Sequence, residues 1–510
     1  MDSTFRASMS RLHTWAGVTV GALLFAIFWM GTLAVFDREI DRWMMPETRL
    51  ASPSGQMSLD RTIVPLLVTL PSVGTPTSWH VVLPSNRSPF MQFRYDGPGG
   101  VQQIYLVDTS GRVLNSGSLG GTGFINPFHY SLHLKAKGIG FWIVGFAGMA
   151  MLALLVSGVI IHPRIFLDFF TMRTMKPTRL FLDLHNLTGV LGLPFHIAIT
   201  LSGLIAFFAI YYPAAINATY SGGINAFYSE AYGDFSRPAA HIGGPLTSLD
   251  RMADEASRRW GGRKISAVSI RHYGDTEAYV RLASSSEGTV AKNFDSITFD
   301  GATGSVLSQH VAPPIMQSQR FISGFHFIQF THWTLRWIYF LLGLSGCVLI
   351  ATGFSFWLEA RKKQHDGGDN GYRIVRCLAV ASITGIIIAT ISFFVANRLL
   401  PTPFSAKHLD RSALEVWVFY LVWLLALGDA WLRPVQVWSR HCWAIALLAS
   451  VAVSLNWITT GDHIARTTLD RSLWPVAGMD LMLLVGAILA ARIAQTLQRQ
   501  ARLASAARSG

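Results

Sequence analysis

The sequence predicts a mainly α-helical integral membrane protein, with eight membrane-crossing helices and two small α+β units outside the bilayer. Three observations predict it. Of its 510 residues, 51% are hydrophobic and only 14% charged. Eight apolar stretches each reach the roughly 20 residues needed to cross a hydrocarbon layer of about 30 Å. The chain also repeats itself. His13 and His185 stand 172 residues apart, as do Gly31 and Gly203, and Phe36 and Phe208, so MGTLAVF overlies SGLIAFF. His133 and His326 stand 193 residues apart, as do Gly111 and Gly304, which aligns TSGRVL with ATGSVL. Such repetition marks residues that hold equivalent places in a fold.

The first span is expected near 15–36, within a segment 1–37. Its apolar run is too long for a signal-peptide core, lacks an A-x-A-like cleavage site and leads directly into DREIDRW, so it reads as an uncleaved anchor. In the outer segment 38–130, VVLPS, FMQFRY, VQQIYLVD and RVLNSG alternate like strands separated by turn residues. Spans near 139–161 and 187–212 make up 131–212. The second outer segment, 213–330, opens its folded part with SLDRMADEASRRW, an amphipathic helix with a Ser/Asp start. Strands follow around KISAVSIRHY, EAYVRLASS and SITFDGATGSVLSQ. A fourth span near 335–357 occupies 331–362, and the segment 363–510 adds four more, near 374–396, 413–432, 441–459 and 475–495.

Basic residues set the expected orientation. Arg6 and Arg11 precede the first span; Arg164, Arg173, Lys176 and Arg179 separate the second from the third; Arg361, Lys362, Lys363 and Arg373 separate the fourth from the fifth. Arg433 and Arg440 follow the sixth, and Arg492, Arg499, Arg502 and Arg508 mark the C-terminal tail. Both termini are therefore expected in the cytoplasm, with the outer segments extracytoplasmic. The net charge of +13 is then mostly cytoplasmic flank facing anionic lipid. No basic stripe with interleaved aromatics points to nucleic acid. Cys347, Cys377 and Cys442 lie in spans or at their ends, and no C-x-x-C-H motif occurs, which excludes covalent c-type haem.

Histidine is concentrated in the repeated half. His13, His129, His133, His162, His185, His196, His326 and His332 all sit in or beside the first four spans. An ionisable side chain at membrane depth is a functional hypothesis by default. The repeat pairs His13 with His185 at the inner ends and His133 with His326 at the outer ends. Facing neutral imidazoles in a helix bundle are what axial ligation of haem iron requires. The four-helix core is thus expected to hold two non-covalent b-type haems, one near each face. His196 follows His185 by eleven residues, so it shares a helix face about 16 Å further on. It is either an outer ligand or a polar relay between the two haems. His129 and His332 have no equivalents of the same type and read as supporting or surface residues, and His162 as an interface residue. Zinc would call for nearby Cys or carboxylate partners, which these histidines lack. Gly17 and Gly21, Gly138 and Gly140, and Gly189 and Gly192 follow three of the histidines. Small residues there would admit a flat cofactor, although close helix packing uses the same spacing.

The stretches RLHTWAGVTVGALLFAIFWMGTLAVF, SLHLKAKGIGFWIVGFAGMAMLALLVSGVIIHPR, DLHNLTGVLGLPFHIAITLSGLIAF and FHFIQFTHWTLRWIYFLLGLSGCVLIATGFSFWLEARKK resemble the PepSY-associated transmembrane family. That family includes bacterial iron-regulated inner-membrane proteins and ferrisiderophore reductases. The resemblance implies PepSY-like periplasmic domains, b-type haems held by span histidines, and reduction of a ferric siderophore or other ferric chelate in the periplasm. It carries over to His13, His133, His185 and His326, with His196 of the LPFH element as a further candidate. Thr331–His332–Trp333 stands where the family pattern leads one to expect a glycine pair. The electron donor is expected to be a quinol or a flavin on a partner, since no G-x-G-x-x-G opens a helix in the cytoplasmic loops. Two alternatives stay open: a membrane-anchored PepSY binding or regulatory protein without redox activity, and an iron-chelate transporter. The parallel topology of the two halves, with Pro194 as the sole break of its kind, disfavours transport.

Overall fold

A computed structural model describes residues 3–52, 55, 57–70, 78–96, 102–115, 117–134, 136, 138–162, 164–168, 170, 172, 176–362, 370–401, 405–406 and 409–509. Arg173 and Lys363, singled out by charge, lie outside these residues. Among the described residues, eight helices are long and apolar enough to cross a membrane: Thr4–Ala34, Ile139–Ile161, Pro177–Ala206, Trp333–Arg361, Asn370–Leu399, Arg411–Leu432, Val437–Thr460 and Arg471–Ala506. Each satisfies its own backbone, as hydrocarbon demands. They are called the first to eighth spans below. The third starts ten residues before its apolar run and ends at Ala206, earlier than the sequence suggested. Two short helices follow, Phe208–Tyr211 and Pro213–Thr219, the second opened by a proline whose missing N–H costs nothing at a first turn. Pro194 lies inside the third span without ending it.

The chain divides into two compact units, one of residues 1–46, 117–204 and 334–510, the other of 47–116 and 205–333. The second unit corrects the expectation of two separate α+β units. Both outer segments build one eight-stranded antiparallel sheet, in the order β4-β3-β2-β1-β5-β6-β7-β8. Its strands are β1 (Ser78–Val82), β2 (Met91–Asp96), β3 (Gln102–Val107), β4 (Val113–Leu114), β5 (Ile265–Arg271), β6 (Tyr279–Ser284), β7 (Ser296–Asp300) and β8 (Val306–His310). The seam is β1 against β5, with Trp79 opposite Ile270 and Val81 opposite Val268. Edge strands left unpaired invite association, and here each half covers the other's edge.

One core serves both halves. Trp79, Phe93, Tyr95, Val268, Leu282 and Phe299 face it from the sheet, with Ile63 and Met252 from the helices above. Alternation decides which side chains enter: in β2, Met91, Phe93 and Tyr95 are buried while Gln92, Arg94 and Asp96 between them are not. The aromatic residues Trp79 and Tyr95 are thus core. The helices carry the same tetrapeptide, Ser58-Leu59-Asp60-Arg61 and Ser248-Leu249-Asp250-Arg251. Each serine caps its own helix, and each aspartate caps the other's. The Ser58 hydroxyl and Leu59 N–H donate to Asp250 at 2.6 Å each. The Ser248 hydroxyl and Leu249 N–H donate to Asp60 at 2.5 and 2.6 Å. The two halves are therefore related by a local two-fold with its axis through the β1–β5 seam.

In the helical unit, the seventh and eighth spans pack closely, as do the first with the second and the fifth with the sixth and seventh. The third and fourth spans approach no other element closely along their backbones. They are tied in by side chains, several of them histidine.

Candidate histidine site

Three histidines of the helical unit sit in one recurring arrangement. In each, a ring nitrogen is held by an oxygen of a neighbouring span, and the ring lies over a glycine. His185 donates from Nδ1 to the Leu349 carbonyl at 2.8 Å, and its Cε1 lies 3.2 Å from where a Cβ on Gly353 would stand. His13 Nδ1 lies 3.0 Å from the Ser157 hydroxyl, which itself donates to the Leu154 carbonyl at 3.1 Å. The Cε1 of His13 lies 3.3 Å from the Cβ position of Gly158. His129 donates from Nδ1 to the Ile27 carbonyl at 2.9 Å, over Gly31, whose Cβ position is 2.6 Å from the ring.

In all three the carbonyl precedes the glycine by four residues: Leu349 and Gly353, Leu154 and Gly158, Ile27 and Gly31. Four residues is about one helical turn, so carbonyl and glycine share a face, and the absent side chain makes room for the imidazole. The repeat generates the set. Leu154 and Gly158 recur 195 residues on as Leu349 and Gly353, and Ile27 and Gly31 recur 172 residues on as Ile199 and Gly203.

The hydrogen bonds assign the protons. A carbonyl only accepts, so His185 and His129 carry theirs on Nδ1. Ser157 spends its own proton on Leu154, so it accepts from His13 Nδ1. A neutral imidazole protonated at Nδ1 presents its lone pair at Nε2. His13 and His185 come together, with ring centroids 6.3 Å apart and planes at 84°, as the repeat predicted.

His196 is different. It is fully buried and donates from Nε2 toward the Leu342 carbonyl and the Ser345 hydroxyl, both at 3.3 Å. Its Nδ1 has no hydrogen-bond partner. The ring lies between Gly192 of its own span and Gly346 of the fourth, edge-on to Phe28 at 5.9 Å. It therefore presents the opposite nitrogen from the other three.

His133 follows the short helix Asn126–Ser131 in a left-handed turn at φ 53°, with its ring edge-on to Phe124 at 5.2 Å. His326 sits on the helix Pro314–Phe327 in the sheet unit. His332 is exposed and His162 half-buried at the end of the second span. Sequence reasoning passed over His129 because it has no histidine at the expected offset. The signal that marks it is the Ile27–Gly31 pair it rests on. Burial holds its imidazole below the usual range, partly offset by the bond to Ile27.

Of the glycines following the histidines, a Cβ on Gly21 would stand 3.0 Å from Phe354 and one on Gly189 3.3 Å from Leu349, so they serve helix packing. Among the described residues no three His, Cys, Asp or Glu side chains gather as a metal-ion cluster.

The last four spans hold a second polar set. Glu415, fully buried, accepts from the Asn397 amide at 2.9 Å and the Ser118 hydroxyl at 2.5 Å. Asp480 accepts from the Trp43 indole at 2.7 Å and the Asn456 amide at 3.1 Å. His441 bridges the Thr384 hydroxyl at 2.7 Å and Asp429 at 3.3 Å. Thr384 lies in a π-helical turn, Ala381–Gly385.

The sequence family described as "PepSY-associated TM region" matches residues 10–360, which takes in all three of these histidine seats and stops before the last four spans. The chain is 28% identical over 367 residues to a Pseudomonas aeruginosa protein named only as uncharacterized, covering 68% of this chain and 88% of that one.

Proposed function

Since this chain belongs to the PepSY-associated TM region family, we propose that it is a diheme b-type cytochrome of the bacterial inner membrane. It carries electrons across the bilayer to a periplasmic ferric siderophore or other ferric chelate, and releases Fe(II). The observation that carries this proposal is the His13–His185 pair. Two metal–nitrogen bonds of about 2.0 Å, plus the distances from each nitrogen to its ring centre, add up to roughly the 6.3 Å found between the centroids. Both rings have Nδ1 engaged, the outer contact that fixes tautomer and raises ligand basicity in metal-bound histidine.

A haem bound there supplies one-electron iron chemistry whose potential depends on ligand identity, burial and these hydrogen bonds. The chain's own residues do the rest. Ser157 and Leu349 orient the ligand rings, and Gly158 and Gly353 give them room. The second haem's ligands come from His129, His133 and His196 of the same unit, of which His129 repeats the seat of the His13–His185 pair. Hard oxygen ligands hold Fe(II) less tightly than Fe(III), so reduction frees the iron. The electron donor is a quinol or a partner flavin.

The purified protein is expected to be coloured, with a b-type spectrum that ferric chelate reoxidises anaerobically. His13→Ala and His185→Ala should each remove haem while leaving helix content intact. A colourless protein that retains its fold would sink the cytochrome and favour a binding or regulatory role. Iron uptake without reduction would favour a transporter.

A further inference from the structure

The face of the sheet turned away from its core carries an unusual row. Register places Arg94 of β2 opposite His80 of β1, His80 opposite Ser269 of β5, and Ser269 opposite Arg281 of β6. Neighbouring strands lie about 4.8 Å apart, so these four side chains form one continuous line across the seam. The line exists only because the two outer segments share a sheet.

The local two-fold relates Arg94 to Arg281, and their surroundings differ. Arg281 is satisfied by protein: Nε donates to the Ser296 hydroxyl at 3.0 Å, Nη2 to the Tyr232 carbonyl at 2.6 Å, and Asp234 lies 3.7 Å from Nη1. Two of these partners come from the segment around the helix Gly223–Tyr232, which has no counterpart in the first half. Arg94 makes no hydrogen bond or ion pair among the described residues, and its Nε is buried without an acceptor. A guanidinium is a five-donor fork suited to oxyanions, and leaving such a donor buried and unmet is costly.

His80 stands next to it, half-buried, with Nδ1 2.8 Å from the Ser269 hydroxyl. Burial first, then Arg94, Arg271 and Arg281, hold its imidazole below the usual range against the pull of Asp96. The adjacent row of the same face runs Gln92, Val82, Ala267 and Ala283, small and apolar beyond Gln92, so ligand atoms can lie close to the strands beside His80.

We propose that the Arg94–His80 end of this row docks a negatively charged, oxygen-rich ferric chelate. The identity of the ligand as a chelate rests on the proposed reductase function; the anion preference rests on the row itself. The Arg94 fork engages a paired oxygen edge of the ligand, and His80 supplies a further donor on the same line.

The test uses full-length protein in detergent and gallium(III) citrate, a redox-inert stand-in for ferric citrate, titrated by calorimetry at fixed salt. Arg94→Gln should weaken binding by roughly tenfold or more, with Arg94→Lys intermediate. An uncharged gallium trihydroxamate should bind weakly and show no dependence on Arg94. Unchanged gallium citrate affinity in Arg94→Gln overturns the proposal. So does inorganic phosphate binding as tightly as the chelate with the same dependence. Loss of Arg94-dependent binding in a protein that still shows its haem spectrum would refute the docking site alone. Arg94-dependent binding in a protein without haem would refute the reductase alone.

Discussion

Within the helical unit, the third and fifth spans are near opposites. Of the most apolar stretch of the third, 22% is buried within the protein; of the fifth, 83%. The fifth is packed by neighbours, with Thr384 bonded to His441 and the Asn397 amide N–H to Glu415. The third has no such backbone packing and is held by His185 on Leu349, His196 on Leu342 and His13 against His185. A helix whose contacts include imidazoles seated over glycines is arranged for a site. The fifth span is arranged as a core.

That contrast breaks most decisively at the inner pair. His13→Ala with His185→Ala should remove about half of the bound haem expected for two sites, while His441→Ala should leave haem per chain unchanged. A pyridine haemochrome assay reads both, and equal losses would erase the distinction between the halves. Next in size is Glu415→Ala, which strands the Asn397 amide and Ser118 hydroxyl. The cost should be about 2–3 kcal/mol, seen as a lower thermal midpoint in detergent with haem content retained.

Gly31→Ala should have a smaller effect, because its Cβ would stand 2.6 Å from the His129 ring. Overpacking of this kind costs about 1–3 kcal/mol, and the displaced ring should shift the potential of an outer haem in a redox titration. Gly478→Ala in the eighth span meets nothing within 4 Å and should stabilise its helix by roughly 0.5–1 kcal/mol. If both glycine variants behave alike, the seat under His129 is not a seat.

A further expected effect is set by pH and concerns Asp41, on the short helix Asp37–Met44. Burial pushes its carboxyl up to about 7, against the bonds from Thr122. The folded state then holds a proton that the unfolded state has released above its ordinary pKa of 3.8. Stability attributable to Asp41 therefore declines from about pH 4 to pH 7 and is flat beyond. Asp41→Asn should remove that slope in thermal melts across the window, while the His13–His185 half is untouched.

Much of this was legible in the chain. The eight spans could be read because each is a local apolar run in a solvent that forbids alternatives. The approach of His13 to His185 could be read because duplication carries equivalent residues to equivalent places. His129 was obscured because a search for repeated histidines overlooks a repeated seat, whose signature is a carbonyl and a glycine one turn apart. Ser58-Leu59-Asp60 and Ser248-Leu249-Asp250 were also available, but as caps each seemed to belong to its own helix alone.

Sequence by itself determined the membrane class, the span count and the approach of His13 to His185, since these follow from residue type and periodicity along the chain. Only the tertiary structure decided that the outer segments merge into one sheet, that Arg94 and His80 stand in line across its seam, and which ring nitrogen each histidine presents. Those depend on strand register and on which neighbouring oxygen a ring meets. Both are contacts between residues far apart in the chain, and no local pattern encodes them.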